Sequence, residues 1–198
     1  MYASTPHNTN QITMCIIIVK EKGKIVPNET IKKSAKINPD GLGVIWLDDY
    51  SITYHKSKEF SVLQTNRPYI AHFRYATVGK VGIENTHPFK CSGSDEYLMM
   101  NGTISGLGNK DVCDSKVLAE MIGWMPRKQW KKQLAMFSSR FVCANPKKKT
   151  YEIFNKELWT QHDGVWYSKD NVLEPHYVAV YGTLKKGHSN YHHYLSDS

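Results

Sequence analysis

Apolar residues in this chain come mostly in short bursts. "CIIIV" (15–19) is brief, β-branched and unbroken, which reads as a fully buried strand rather than a helix. "ETIKKSAKI" (29–37) sets Ile31, Ala35 and Ile37 on one side of a helix. "NPDGLG" (38–43) has the composition of a turn or loop. "VIWL", "YSITYHK" and "PYIAHFRY" follow as strands separated by polar turns. Residues 78–96, with three glycines, a proline and an asparagine, predict a long irregular segment, a class of loop that often carries function.

"YLMMNG" reads as a strand running into a tight turn. In "DSKVLAEMIGWM" (114–125), Leu118, Met121, Ile122 and Met125 recur at helical spacing. A second helix is predicted over 126–139, with Pro126 suited to its first turn and Trp130, Leu134 and Phe137 as its stripe. "RFVCAN", "TYEIFN", "LWTQ" and "GVWYSK" then give four short strands. Strands, a helix pair, then strands again favour an α+β domain over an alternating βαβ fold. Residues 1–13 are polar and unpatterned, as expected of a disordered leader.

Composition narrows the classes. The chain has 198 residues, 40% hydrophobic and 22% charged, ordinary values for a soluble domain. No apolar run approaches the roughly 20 residues of a membrane helix, and the first residues lack a secretory signal pattern. Net charge is +8, but the lysines fall in scattered short groups and no aromatic-studded basic motif stands out. That pattern favours solvated surface over nucleic-acid binding. Cys15, Cys91, Cys113 and Cys143 form no CxxC pair, so neither a zinc site nor a dithiol motif is indicated. A cytoplasmic protein with reduced, mostly buried thiols is expected, and the open question is whether one of them is a nucleophile.

Six stretches bear on that question in order: "MCIIIV" (14–19), "NPDGLG" (38–43), "AHFRYATVG" (71–79), "NTHPF" (85–89), "MNGTI" (100–104) and "DS" (114–115). Together they resemble the class II glutamine amidotransferase domain, an N-terminal-nucleophile hydrolase, over Cys15 to about Ser168. The resemblance implies a four-layer αββα sandwich, two antiparallel sheets between helical layers. It implies glutamine as substrate, no cofactor or metal, and a separate synthase that receives the ammonia.

The resemblance assigns roles residue by residue. Cys15 matches the nucleophile, which attacks the glutamine amide, releases ammonia and leaves a γ-glutamyl thioester. Its own α-amine, with an ordinary pKa of about 7.7–8.0, then serves as the base once Cys15 is the first residue. Residues 1–14 are therefore expected to be removed, either as a propeptide or because Met14 is the true start. Asn101 and Gly102 match the two oxyanion-hole donors. Arg74 matches the arginine that holds the α-carboxylate, Thr77 its neighbouring threonine, and Asp114 the aspartate that pairs with the α-ammonium. His72 and His87 are expected to be structural, with His87 in a loop that shapes the site. Val78 and Tyr75 stand where some relatives carry histidine and tryptophan.

Plainer readings exist for each residue. Cys15 could be a buried strand thiol, Arg74 a surface ion-pair residue, Asn101-Gly102 a hairpin turn, and Asp114 a helix N-cap. A non-catalytic glutamine-binding module of the same fold is the alternative to the enzyme. A further resemblance, "VYGTLKKG" (180–187), is to the start of a γ-glutamylcyclotransferase-like domain. It implies a truncated second unit over 171–198, or a cyclotransferase fragment that needs a partner chain. It also accounts for His188, His192 and His193 better than a metal site does.

Overall fold

A computed structural model of the chain describes residues 15–173. The leader expected over residues 1–14 and the "VYGTLKKG" segment lie outside the described residues. Among the described residues, ten strands form two antiparallel sheets, and three α-helices pack with them. The first sheet contains β1 (Ile16–Lys20), β2 (Leu42–Trp46), β3 (Ile52–His55), β4 (Tyr69–Phe73), β9 (Thr160–His162) and β10 (Val165–Tyr167), in the order β3-β2-β4-β1-β10-β9. The second contains β5 (Phe89–Lys90), β6 (Tyr97–Asn101), β7 (Arg140–Asn145) and β8 (Thr150–Phe154), in the order β5-β6-β7-β8. The helices are α1 (Asn28–Ile37), α2 (Asp114–Gly123) and α3 (Trp130–Leu134). The protein is thus α+β, as the order of elements predicts.

The unbroken apolar run of β1 has a direct cause, because both faces of this strand are covered. Ile16 and Ile18 pack with Ile31 and Ala35 of α1. Ile17 and Val19 pack with Met99, Val142 and Ala144 of the second sheet. Side chains alternate across a strand, so each of the two sets serves a different core. The opposite face of the second sheet presents Leu98, Met100, Phe141 and Cys143 to Leu118, Ala119 and Ile122 of α2 and to Trp130 and Leu134 of α3. Each Val, Leu, Ile, Phe or Met among them contributes about 1.5–3 kcal/mol by leaving water.

Three sequence expectations need correction. First, Leu42 and Gly43 belong to strand β2 and not to a loop. Gly43 is there for clearance: a Cβ would stand 1.5 Å from the His87 carbonyl oxygen, so backbone passes where a side chain would sit. Second, the helix predicted over 126–139 reduces to a 3-10 turn, Arg127–Gln129, and the five residues of α3. Asn155, in the left-handed region at φ 53°, directs its side-chain amide at the carbonyls of Leu134, Phe137 and Ser139 (3.1, 2.9 and 2.7 Å). Its two N–H groups are shared among these three carbonyls, of which Leu134 is the last residue of α3, and the chain turns toward β7. Third, Met121 is 50% exposed, so the buried stripe of α2 is Leu118, Ala119 and Ile122. Among the described residues no helix is long and apolar enough to cross a membrane.

Candidate active site

The antiparallel ladder brings the first candidates together. Ile16 of β1 pairs with Phe73 of β4, so Cys15, just before β1, lies beside the chain that leaves β4 at Arg74. The Tyr75 N–H donates to the Cys15 sulfur at 3.3 Å, and the thiol donates to the Tyr75 carbonyl at 3.4 Å. Burial pushes the Cys15 thiol up to about 11; the Tyr75 hydrogen bond and the Arg74 charge pull it down, and Asp114 pushes it up. Arg74 and Asp114 are therefore both within electrostatic reach of the sulfur.

The "NPDGLG" turn holds Arg74. Its N–H donates to the Gly41 carbonyl at 2.8 Å, and its carbonyl accepts from the Asp40 N–H at 3.0 Å. The Asp40 carboxylate accepts the Ala76 N–H at 2.8 Å. Arg74 is 2% exposed, so it is not a surface ion-pair residue. Its Nη2 donates to the carbonyls of Val78 and Gly79 (3.2 and 3.4 Å), while Nη1 is buried with no partner. A buried cation is costly unless its donors are matched, and here one prong of the fork remains open.

Asp114 is the first residue of α2, and Cys113 occupies the N-cap position. The N-cap reading is thus corrected by one residue. One carboxylate oxygen accepts the Ser115 N–H at 2.8 Å and the other the Ile104 N–H at 2.7 Å. Burial raises its carboxyl above the usual range, against those two bonds and the pull of Arg74.

Asn101 ends β6 and is fully buried. Its carboxamide lies 2.8 Å from the Ser168 hydroxyl oxygen and 3.5 Å from the Ser168 carbonyl, through the atom assigned Nδ2. Oδ1 has no partner. The Ser168 hydroxyl also accepts the Ile17 N–H at 2.7 Å, and the Ser168 N–H donates to the Ile17 carbonyl at 2.9 Å. Asn101 is in this way tied to the strand that begins after Cys15. Gly102 has φ 150°, and a Cβ there would stand 2.0 Å from the Ser139 hydroxyl oxygen, so only glycine fits. Thr77 is exposed and contacts Thr103, hydroxyl to hydroxyl, at 3.1 Å.

The fold thus brings Cys15, Arg74 and Asp114 together, couples Asn101 to them through Ser168, and leaves Thr77 on the rim beside the residue that follows Gly102. No protein-family model matches the chain, and no curated protein matches it.

His72 and His87 stack beneath this end of the sheets, with ring centroids 3.8 Å apart. His72 bonds the Met100 carbonyl through Nε2 at 3.0 Å, which places its proton on that nitrogen. Both ring nitrogens of His87 are buried without partners. Burial lowers His72 to about 4 and His87 well below its ordinary value, so both rings are neutral at pH 7. Among the described residues no group of three or more His, Cys, Asp or Glu side chains is placed to hold a metal. A cavity of about 880 Å³ lies behind Asp40 and Gly41, lined in part by Lys36, Ser57, Phe60 and Ile83; its lining does not reach Cys15.

Sequence reasoning overlooked Ser168. It sits in an unremarkable "WYSK", and its two partners are 67 and 151 residues away in the chain. No local signal points to it.

Proposed function

We propose that this protein is a glutamine amidotransferase-type amide hydrolase of the class II, N-terminal-nucleophile kind, with Cys15 as nucleophile. The reading treats the two sheets and the helices packed on them as the αββα sandwich of that class. One observation carries it: a buried guanidinium with an open, partnerless nitrogen, and a buried carboxylate, both within electrostatic reach of the same thiol. A free amino acid offers the complementary pair, a carboxylate for Arg74 and an ammonium for Asp114. Arg74 supplies a charge-assisted bond from Nη1. Asp114 retains lone pairs on both oxygens after accepting two backbone N–H groups.

In this reading glutamine is anchored by its amino-acid end, and its side-chain amide meets Cys15. With the chain continuous through Met14, the thiol at about 11 leaves roughly one in ten thousand ionised at pH 7. Hydrogen bonding to Tyr75 does not remedy this, so the thiol needs a base. Once residues 1–14 are removed, the α-amine of Cys15 fills that role on the same residue. The sulfur attacks the amide carbon, and the oxyanion is met by the Asn101 amide and the Gly102 N–H; each such donor contributes about 3–4 kcal/mol. The amine returns its proton to the departing ammonia. Water then cleaves the thioester to glutamate, and a separate synthase takes the ammonia.

The test is direct observation of the intermediate. Protein with Cys15 as its first residue, mixed with glutamine and quenched in acid, is expected to show a γ-glutamyl adduct on Cys15 by intact mass, absent in Cys15→Ala. No adduct and no glutamate formation would refute the reading.

A further inference from the structure

The hydrogen-bond count around Ser168 does not close with the Asn101 nitrogen turned toward it. A serine hydroxyl has one proton to give and two lone pairs to fill. The Ile17 N–H fills one lone pair at 2.7 Å. With Nδ2 of Asn101 placed 2.8 Å away, the hydroxyl accepts twice. Its own proton then finds no acceptor among the hydrogen bonds of the described residues. The Asn101 Oδ1, on the other side of the carboxamide, is buried and also unmatched.

Turning the carboxamide over exchanges its oxygen and nitrogen while leaving the shape of the group unchanged. The Ser168 hydroxyl then donates to Oδ1 at the 2.8 Å contact and still accepts from Ile17. The turned group loses the contact to the Ser168 carbonyl, which at 3.5 Å is at the outer limit of a hydrogen bond. In exchange it satisfies the hydroxyl proton and the amide oxygen. What remains unmatched is an NH2, a buried donor with no acceptor until a ligand supplies one.

We propose that Ser168 is a positioning residue: its hydroxyl holds the Asn101 carboxamide with the oxygen inward, so that the NH2 is the vertex offered to the oxyanion. This rests on the amide-hydrolase reading above and deepens it. Ser168 suits the task because it is locked to β1 through both its N–H and its hydroxyl, to the carbonyl and N–H of Ile17 respectively. That strand begins directly after the nucleophile, so one serine fixes the oxyanion donor relative to the sulfur. On its main-chain side, the end of β6 is held by the bond from His72 to the Met100 carbonyl. Both degrees of freedom of Asn101, backbone position and amide orientation, are thus set by residues outside the reacting group. An orientation device acts on the transition state, where the oxyanion exists, and not on binding of the amino-acid end.

The experiment uses the protein with Cys15 as its first residue and the chain retained through Ser198. Glutamine turnover is measured for wild type, Ser168→Ala, Asn101→Ala and the double variant, with alkylation of Cys15 by iodoacetamide as a control that needs no oxyanion donor. Ser168→Ala is expected to lower kcat roughly ten- to a hundredfold, leave the glutamine KM and the alkylation rate within about twofold, and change kcat less than about twofold when Asn101 is already alanine. If Ser168→Ala does not fold, Ser168→Cys, with its weaker donor, is expected to show the same split between kcat and KM. An unchanged kcat, or an equal loss with and without Asn101, overturns the positioning role alone. A wild-type protein that releases no ammonia overturns the amide-hydrolase reading and this proposal with it.

Discussion

Acid should unfold this protein through its two stacked histidines. His72 and His87 are 0% and 3% exposed, and burial holds both below the ordinary histidine value of 6.5. In the unfolded chain each takes up a proton near pH 6.5; in the folded chain His72 resists until about pH 4. Between those values the unfolded state binds more protons, so stability rises with pH. The contribution is intact above pH 6.5 and is lost as pH falls toward 4. At about 1.4 kcal/mol per pH unit over that window, His72 alone removes about 3 kcal/mol. His87 adds a loss of the same sign. Asp114, held above the usual carboxylate range, acts in the opposite direction, so a control is needed. His72→Gln keeps a donor for the Met100 carbonyl, and His87→Phe removes two buried nitrogens that have no partners. Urea unfolding followed by tryptophan fluorescence at pH 7 and pH 4.5 should show a steep loss in wild type and a much flatter response in the double variant. A wild-type stability flat across that range, or an equal loss in the double variant, would refute the reasoning.

Gly43→Ala puts a Cβ 1.5 Å from the His87 carbonyl oxygen and should cost ~3 kcal/mol or more, read as a lowered Tm; a Tm within a degree of wild type contradicts it. Gly102→Ala meets both the positive φ of 150° and the Ser139 hydroxyl oxygen at 2.0 Å, so glutamine turnover should fall at least tenfold; normal turnover would mean the turn is not built as described. Arg74→Lys and Asp114→Asn should each raise the glutamine KM about tenfold or more, ~1.4 kcal/mol, because a lysine cannot reproduce the guanidinium fork and an asparagine carries no charge. Isothermal titration with Cys15→Ala protein separates binding from chemistry, and unaltered glutamine affinity would count against the anchoring roles.

The strands were legible because local pattern and final environment agree. The "CIIIV" run is apolar throughout since β1 has a core on each side, and that is visible without a structure. The helix over 126–139 was over-read because its terminator, Asn155, lies 21 residues beyond the last α-helical carbonyl it captures. Gly43 was mistaken for a turn residue because glycine signals both a turn and a close backbone approach, and only the position of His87 distinguishes the two. At the candidate site, the motifs supplied Cys15, Arg74, Asn101, Gly102 and Asp114, each adjacent to or within an element whose end the pattern marked. Ser168 was invisible because a single hydroxyl bridging two strands leaves no periodicity. Thr77, expected near the carboxylate, lies on the rim with its hydroxyl against that of Thr103.

The central claim is that Cys15 works only as the first residue of the chain. Ammonia release from glutamine should be compared for protein with a free Cys15 amine, protein retaining Met1 through Met14, and a Cys15→Ala variant, with each N-terminus verified by mass. The account predicts steady release from the first alone. Equal release from the protein that keeps its leader, or none from the one with the free amine, would contradict it.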